Sequence, residues 1–462
     1  VRTFLSLNKY FSGLRGKRVA VIGAGVSNRP LIRLLLTSGI DVTICDKSGL
    51  EVMGDFYREI APFHPHLCLG DTYLNDLDAD VVFRTPGIHP NTPALAKARE
   101  KGALITSEME VFFSLCPCRT IAVTGSDGKT TTTTLISELL KAAGYHVWLG
   151  GNIGTPLLAE TDAMTPSDIA VLELSSFQLH SMNCSPNVAV VTNVSPNHLD
   201  VHPTYQDYID AKKQVFRNQK PGARLVLNRD NDVTASFAAE TASEIYWFSR
   251  RQAVERGFWT DADGAIRRAG GHIVMPVSDI RIPGVHNIEN MMAAFAAVDG
   301  LVDEDVFRSV ARSFPGVPHR LETVRVLRGV TYINDSIASS PSRTAAGLSC
   351  FKEKVILIAG GKDKGIPFDS LGDDICRHVK SLYLTGWTAE KIKDAVMNSP
   401  LYAPGKPEIQ VINDFRDAVE AASRRAEAGD IVLLSPACTS FDRFKNFEER
   451  GDAFRKIVKE LE

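Results

Sequence analysis

Residues 122–136, AVTGSDGKTTTTTLI, put a short apolar strand, a glycine turn, a lysine and a threonine-rich helix start in immediate succession. Gly125 and Gly128 permit a turn tight enough to aim successive backbone N–H groups at one point, and the following helix adds the positive end of its dipole there. Lys129 then reaches terminal phosphates, and Thr130 stands where the hydroxyl of a phosphate loop ligates magnesium. The stretch departs from G-x-x-x-x-G-K-[ST] at one place, because Val123 occupies the position of the first glycine. The expectation is a phosphate cradle for ATP, and an ordinary strand-turn-helix corner is the alternative.

A chain of 462 residues exceeds what one core usually serves, so about three domains are expected. With 44% apolar and 23% charged residues and a formal net charge of -3, nothing supports a polybasic face, which argues for small-molecule ligands and no nucleic acid. The eight cysteines show no paired metal spacing, and Cys116 and Cys118 around Pro117 read as a turn, which suits a reducing compartment. The opening VRTFLSLNKYFSGLRGKR lacks a signal-peptide apolar region, and no apolar run approaches the ~18 residues that cross a bilayer. A cytoplasmic location without membrane insertion is expected.

Taken in order, KRVAVIGAGVSNRPLIRLLLTSGIDVTICDKS reads as a β-α-β unit: a strand at 19–22, a glycine turn, a helix to about Ser38, and a strand ending before Asp46. Gly23 and Gly25 match the first two glycines of a dinucleotide fingerprint and Asp46 stands about 20 residues on, but Asn28 replaces the third glycine. A nicotinamide dinucleotide, another nucleotide and plain helix packing all remain open. DADVVFRTPGIHP repeats the strand-then-loop pattern and puts Thr85, Pro86 and Gly87 where ligands sit in such sheets.

After the phosphate loop, GGNIGTP turns around Asn152, and DIAVLELSSFQLH gives a buried strand ending on Glu173, placed like a magnesium-binding carboxylate. NVAVVTNVSPNHLDVH runs another strand into a loop with His198, Asp200 and His202, histidines that ordinarily serve as surface or hydrogen-bonding groups. TYQDYIDAKKQVF reads as a helix on which Lys212 and Lys213, taken alone, belong to a solvated face. IYWFS and HIVMPVSDIRIPG read as antiparallel edge strands, and VHNIENMMAAFAAV returns to helix. FPGVPHR marks a boundary, beyond which VTYINDS, KVILIAGGKDKG, SLYLTG and DIVLLSPACTS are strands of a further α/β domain.

Together TGSDGKTTT, LELSSFQL, NVSPNHLD, YIDAKK, GVHNIEN, PHRLE, INDS and SPACTSFDRFKNFEERG resemble the Mur ligases of peptidoglycan synthesis over essentially the full chain. Within that family, LELSSFQL and the terminal SPACTSFDRFKNFEERG are similar to the branch that adds D-glutamate to UDP-N-acetylmuramoyl-L-alanine. The D-N-P-R type motif of the diaminopimelate- or lysine-adding branch is not found. The resemblance implies an α/β chain of three domains: a Rossmann-like UDP-binding domain over 1–107, a P-loop ATPase domain with a mostly parallel sheet plus a small antiparallel sheet over 108–316, and a Rossmann-like amino-acid domain over 317–462. It also implies that the first domain holds uridine diphosphate and no nicotinamide.

The same resemblance implies roles residue by residue. Gly125, Ser126, Asp127, Gly128, Lys129, Thr130 and Thr131 would hold ATP phosphates, with Asn287, Asn290, Arg320 and Asp335 around adenine and ribose. Thr130, Glu173, His198 and a carbamylated Lys212 would hold magnesium, or manganese in its place. This reverses the solvated-face reading of Lys212. Lys129, Glu173, His198 and Lys212 are the implied catalytic set. Val26, Ser27, Asp46 and Thr85 would meet uridine diphosphate, while Asn152, Gln178 and His198 would line the muramoyl-alanine end. Ser339, Lys364, Ser440 and Phe447 would meet D-glutamate. Ile337 departs from a lysine common in the family, Ser339 from threonine, and Lys47 and Ser48 from the uracil-side residues. The implied enzyme is a cytoplasmic monomer acting on small molecules; a nicotinamide oxidoreductase or a non-catalytic nucleotide-binding or motor protein would leave most of these motifs unused.

Overall fold

The computed structural model describes residues 6–25, 27–75, 77–197, 201–363 and 365–462. Val26, His198 and Lys364, all singled out above, lie outside the described residues, as does Asp200. The chain divides into two compact units, Val1–Arg281 with Val285–Ser313, and Ile282–Gly284 with Phe314–Glu462.

The first unit carries two sheets. Strands β1 (Val19–Ile22), β2 (Val42–Asp46), β3 (His66–Leu69), β4 (Val81–Phe83) and β5 (Leu104–Thr106) pair in the order β3-β2-β1-β4-β5, all parallel. The order reverses between β1 and β4, so the crevice at their carboxyl ends is where such sheets take ligands. Gly23 after β1 and Thr85 after β4 meet there: a Cβ on Gly23 would lie 3.1 Å from that of Thr85.

The second sheet has nine strands: β6 (Arg119–Thr124), β7 (Val147–Gly151), β8 (Ile169–Glu173), β9 (Val188–Val191), β10 (Arg224–Asn228), β11 (Glu244–Ser249), β12 (Gly257–Thr260), β13 (Ala265–Arg268) and β14 (Ile273–Pro276), in the order β14-β13-β12-β11-β10-β9-β6-β8-β7. Its middle strands are continuous apolar runs because helices cover both faces. Two expectations change here. IYWFS is not an antiparallel edge strand: β11 pairs parallel with both β10 and β12. Nor do the antiparallel strands form a separate small sheet, since β12, β13 and β14 continue the edge of the large one. Alternating short strands look the same whether they start a new sheet or extend an old one, and only the pairing decides.

The helix Lys129–Ala142 follows β6. Its five consecutive threonines disfavour helix intrinsically, so packing must supply what propensity does not. Thr131, Thr132 and Thr133 are indeed buried, and the Thr133 and Thr134 hydroxyls bond the carbonyls of Lys129 and Thr130 at 2.8 Å. The apolar helix Val285–Val298 packs beside it.

The second unit holds a sheet of β15 (Glu322–Leu327), β16 (Val330–Asn334), β17 (Val355–Ala359), β18 (Val379–Leu384), β19 (Glu408–Val411) and β20 (Ile431–Leu434), in the order β15-β16-β20-β17-β18-β19. Only β15 runs antiparallel. Apolar clusters cover both of its faces.

Candidate active site

The turn between β6 and the helix Lys129–Ala142 requires its glycines. Gly125 has φ 150° and a Cβ there would collide with the Thr192 hydroxyl, while Gly128 has φ 79° and a Cβ would collide with Asn290 Oδ1. The loop after β9 braces the turn. Ser126 N–H donates to the Asn193 carbonyl at 2.8 Å, Asp127 N–H to Asn193 Oδ1 at 3.0 Å, and the Thr192 hydroxyl to the Asp127 carbonyl at 2.6 Å. Thr192 and Asn193 went unnoticed in the sequence, although a Thr-Asn pair directly after an apolar strand was there to be read.

Two lysines converge on this turn. Lys129 Nζ donates to the carbonyls of Gly125 at 3.0 Å and Ser126 at 2.9 Å, and Lys212 Nζ donates to the same Gly125 carbonyl at 2.7 Å. Lys212 is 1% exposed and lies over the Tyr208 ring, so the solvated face read from the residue alone is corrected. Lys213, its neighbour, instead pairs with Glu240 at 2.7 Å. Burial first, and then Lys129, push the Lys212 amine well below its ordinary pKa, with Asp127 and Glu173 opposing.

Glu173 ends β8, beside β6, and is 2% exposed. Its Oε1 accepts from Asn152 Nδ2 at 2.8 Å, and Asn152 N–H donates to the Glu173 carbonyl at 2.8 Å. Oε2 is buried without a hydrogen-bond partner among the described residues. An unpaired carboxylate oxygen held at the mouth of a phosphate loop suits a hard cation, so these residues fit magnesium. Gln178 accepts from the Ser175 N–H at 3.0 Å, closing the capping box of the helix Ser176–Leu179. Asn290 bonds Thr132 at 3.3 Å and Asn287 at 3.1 Å, which brings both asparagines to the turn.

At the first sheet, the Asp46 carboxylate accepts from the backbone N–H of Ala24 at 2.6 Å and of Ser48 at 2.8 Å. Asn28, in place of a third glycine, donates at 3.0 Å to the carbonyls of Ile22 and Gly23. Ser27 is exposed on this turn. Arg84, passed over in the sequence, is buried beside Thr85 and donates to the Phe177 carbonyl at 3.0 Å and Ser181 Oγ at 2.9 Å, fastening the loop after β4 to the segment beyond Glu173.

In the second unit, Asp335 is buried after β16, accepting from Ser435 Oγ at 2.8 Å and Leu321 N–H at 3.2 Å, and Arg320 is near enough to act on its charge. Burial pushes its carboxyl up to about 7. Ser339 lies one residue beyond Ala338, whose carbonyl accepts from Ala437 N–H at 2.9 Å, and Ser440, in the segment that carries Ala437, is buried. The Phe447 carbonyl accepts from Ser336 Oγ at 2.8 Å. Arg450, in the quoted NFEERG, holds this corner through Ser336 and Cys438, and burial pushes its pKa down to about 10.

The chain matches known proteins along most of its length. Residues 123–298 match the Mur ligase middle domain and residues 319–438 the Mur ligase glutamate ligase domain. UDP-N-acetylmuramoylalanine–D-glutamate ligase of Acetivibrio thermocellus is 51% identical, covering 99% of each chain, and that of Ruminiclostridium cellulolyticum is 49% identical, covering 98% of this chain and 99% of its own. Among solved structures, UDP-N-acetylmuramate-alanine ligase from Thermotoga maritima superposes with TM-score 0.59 at 17% identity over 96% of this chain and 99% of that one. A MurF ligase from the same organism, solved with ADP, gives 0.57 at 18% identity over 98% and 97%. The two structural likenesses show the fold; the family models and the full-length relatives place this chain in the Mur ligase family, in the branch of the UDP-N-acetylmuramoylalanine–D-glutamate ligases.

Proposed function

We propose that this chain joins D-glutamate to UDP-N-acetylmuramoyl-L-alanine at the expense of ATP, releasing ADP and phosphate, in peptidoglycan synthesis. The names of its full-length relatives support the substrates. The observation that carries the chemistry is the convergence of Lys129 and Lys212 on the Gly125 carbonyl beside the unpaired Glu173 oxygen.

A carboxylate is a poor acyl donor because it would have to expel oxide. An oxygen of the alanyl carboxylate attacks the γ-phosphorus of ATP, giving an acyl phosphate and ADP; the amine of D-glutamate then attacks the acyl carbon, expels phosphate and gives up a proton. Both partners in the first step are anions, so catalysis lies in positioning and in offsetting charge. The backbone N–H groups of residues 128–131, at the start of the helix, and the Lys129 ammonium do this, Lys129 swinging from its carbonyl partners to the transferred phosphoryl group. Thr130, Glu173, His198 and Lys212 would hold magnesium or manganese, which when bound offsets phosphate charge. A neutral Lys212 amine adds to carbon dioxide, forming an N–C bond and losing a proton, and the carbamate is an oxygen ligand suited to that cation.

Asn287, Asn290, Arg320 and Asp335 are the residues assigned to adenine and ribose. Val26, Ser27, Asp46 and Thr85 meet uridine diphosphate, and Asn152, Gln178 and His198 the muramoyl-alanine end. Ser339, Lys364, Ser440 and Phe447 take D-glutamate, with Lys364 bonding one carboxylate. Lys362, exposed over Trp387, stands in for the charge that Ile337 lacks. The reading carries three domains, 1–107, 108–316 and 317–462, in a monomeric cytoplasmic enzyme. No helix among the described residues is long and apolar enough to cross a membrane.

Phosphate release measured with ATP, magnesium, UDP-N-acetylmuramoyl-L-alanine and D-glutamate, each omitted in turn, tests this reading. Release should require all of them. Equal release without D-glutamate, or with D-alanine in its place, would overturn it.

A further inference from the structure

Away from the phosphate loop, three segments distant in sequence bring imidazoles and a carboxylate together. His89 lies in the loop after β4, His180 follows the helix Ser176–Leu179, and Asp207 stands in the first turn of the helix Tyr205–Arg217. One ligand atom from each lies within 4.8 Å of the others. We propose that His89, His180 and Asp207 form a separate cation site that takes a divalent transition cation of the zinc type and clamps the loop after β4 to the helix Tyr205–Arg217.

The His180 ring is already paired, its Nε2 lying 2.9 Å and 3.1 Å from the two Asp207 oxygens. The His89 ring accepts the Asn91 N–H at Nδ1, 3.2 Å away, but its Nε2 is buried with no hydrogen-bond partner among the described residues and stands 3.9 Å from Asp207 Oδ2, too far for a hydrogen bond. The two rings pack edge to face at 4.3 Å between centroids. The histidine–aspartate pair occupies His180 Nε2 but leaves two buried nitrogens, His180 Nδ1 and His89 Nε2, without a partner among the described residues, and a cation between the three groups would engage the second of these.

The dimensions fit. Ligand atoms at the usual 2.0–2.1 Å from a tetrahedral zinc stand about 3.3 Å apart, so the His180–Asp207 pair at 2.9 Å would open slightly and His89, 3.9 Å from Asp207 Oδ2, would close on it. Two imidazole nitrogens and one carboxylate favour zinc, cobalt or nickel over magnesium. His202 orients the carboxylate, with Nδ1 2.6 Å from Asp207 Oδ2 and Nε2 3.0 Å from Ser176 Oγ, as the outer partners of zinc ligands do. The side chains of His89, His180 and Asp207 are 24%, 11% and 27% exposed, which leaves an entry path and a fourth position for water. The loop being clamped carries Thr85, and the helix carries Lys212. The cation would thus tie the crevice of the first sheet to the phosphate loop.

Calorimetric titration of the full-length protein with zinc, in excess magnesium to saturate the hard-cation site, tests the proposal. The wild type should bind one equivalent, and His89→Ala and His180→Ala should each weaken that binding about 100-fold. His89→Gln, checked for an unchanged melting temperature without zinc, should lose the zinc-induced rise in melting temperature that the wild type shows. Cobalt in place of zinc should give visible absorption that survives Cys116→Ser. No equivalent bound by the wild type, undiminished binding in the histidine variants, or cobalt absorption lost with Cys116 would overturn it.

Discussion

The turn after β1 and the turn after β6 are both strand-glycine-helix corners in parallel sheets, and each helix opens on a cation, Arg29 or Lys129. Both cations fold back on a turn carbonyl, Arg29 Nε onto Ala24 at 3.3 Å and Lys129 onto Gly125. The surroundings differ. At the first turn the Asp46 carboxylate takes the Ala24 N–H, and Asn28 takes the Ile22 and Gly23 carbonyls, so the chain's own side chains close it. At the second, a further buried lysine, Lys212, points at the same carbonyl as Lys129. The backbone shape is shared by many nucleotide corners, and the charge placed around it decides how each can be used.

The largest break in this comparison should come from the two cations. Lys129→Ala should lower ADP formation by about 1000-fold with an unchanged circular dichroism spectrum, because the ammonium acts on developing phosphoryl charge. Arg29→Ala should change turnover by less than about tenfold. Comparable losses would mean that the corners are alike in role.

Lys212→Ala comes next, with a loss of about 100-fold that short carboxylic acids partly restore by supplying the missing oxygen ligand. The same lysine gives a pH signature. Its folded pKa lies well below the ordinary lysine value, so the unfolded chain holds the extra proton between that depressed value and about 10.4. Stability should therefore rise with pH through that window and fall as pH drops towards the depressed value. Urea denaturation at pH 7 and 9 should show this slope in the wild type and a shallower one in Lys212→Met. An active Lys212→Ala enzyme would make the residue merely structural.

Gly125→Ala should cost about 2 kcal/mol or more, since a Cβ would strike Thr192 at a φ that side chains avoid. Gly25→Ala meets nothing within 4 Å and should stay within about 0.5 kcal/mol in the same denaturation assay. Asp46→Asn removes the charge that two backbone N–H groups meet. It should raise KM for the UDP substrate severalfold, about 1 kcal/mol, and leave KM for ATP unchanged.

Much of this was legible in the chain. The runs VAVI, RTIAVT, IAVLE and VAVV announced buried parallel strands, and the glycine turns announced their own corners. The burial of Lys212 was legible too, yet read only through resemblance: Tyr208, Ala211, Lys212, Val215 and Phe216 recur at the spacing of one helix face, so a lysine stood within an apolar stripe. The pairing of IYWFS was not legible, because alternation marks a strand without naming its neighbour. Nor was the meeting of His89, His180 and Asp207, which local pattern cannot signal across segments this far apart.

The most direct test of ligation through an acyl phosphate follows oxygen. With both alanyl carboxylate oxygens of the UDP substrate labelled with 18O, the phosphate released during turnover is read by mass spectrometry. The account predicts one labelled oxygen in each phosphate and the other retained in the new amide. Phosphate carrying no label, with product still forming, would contradict it.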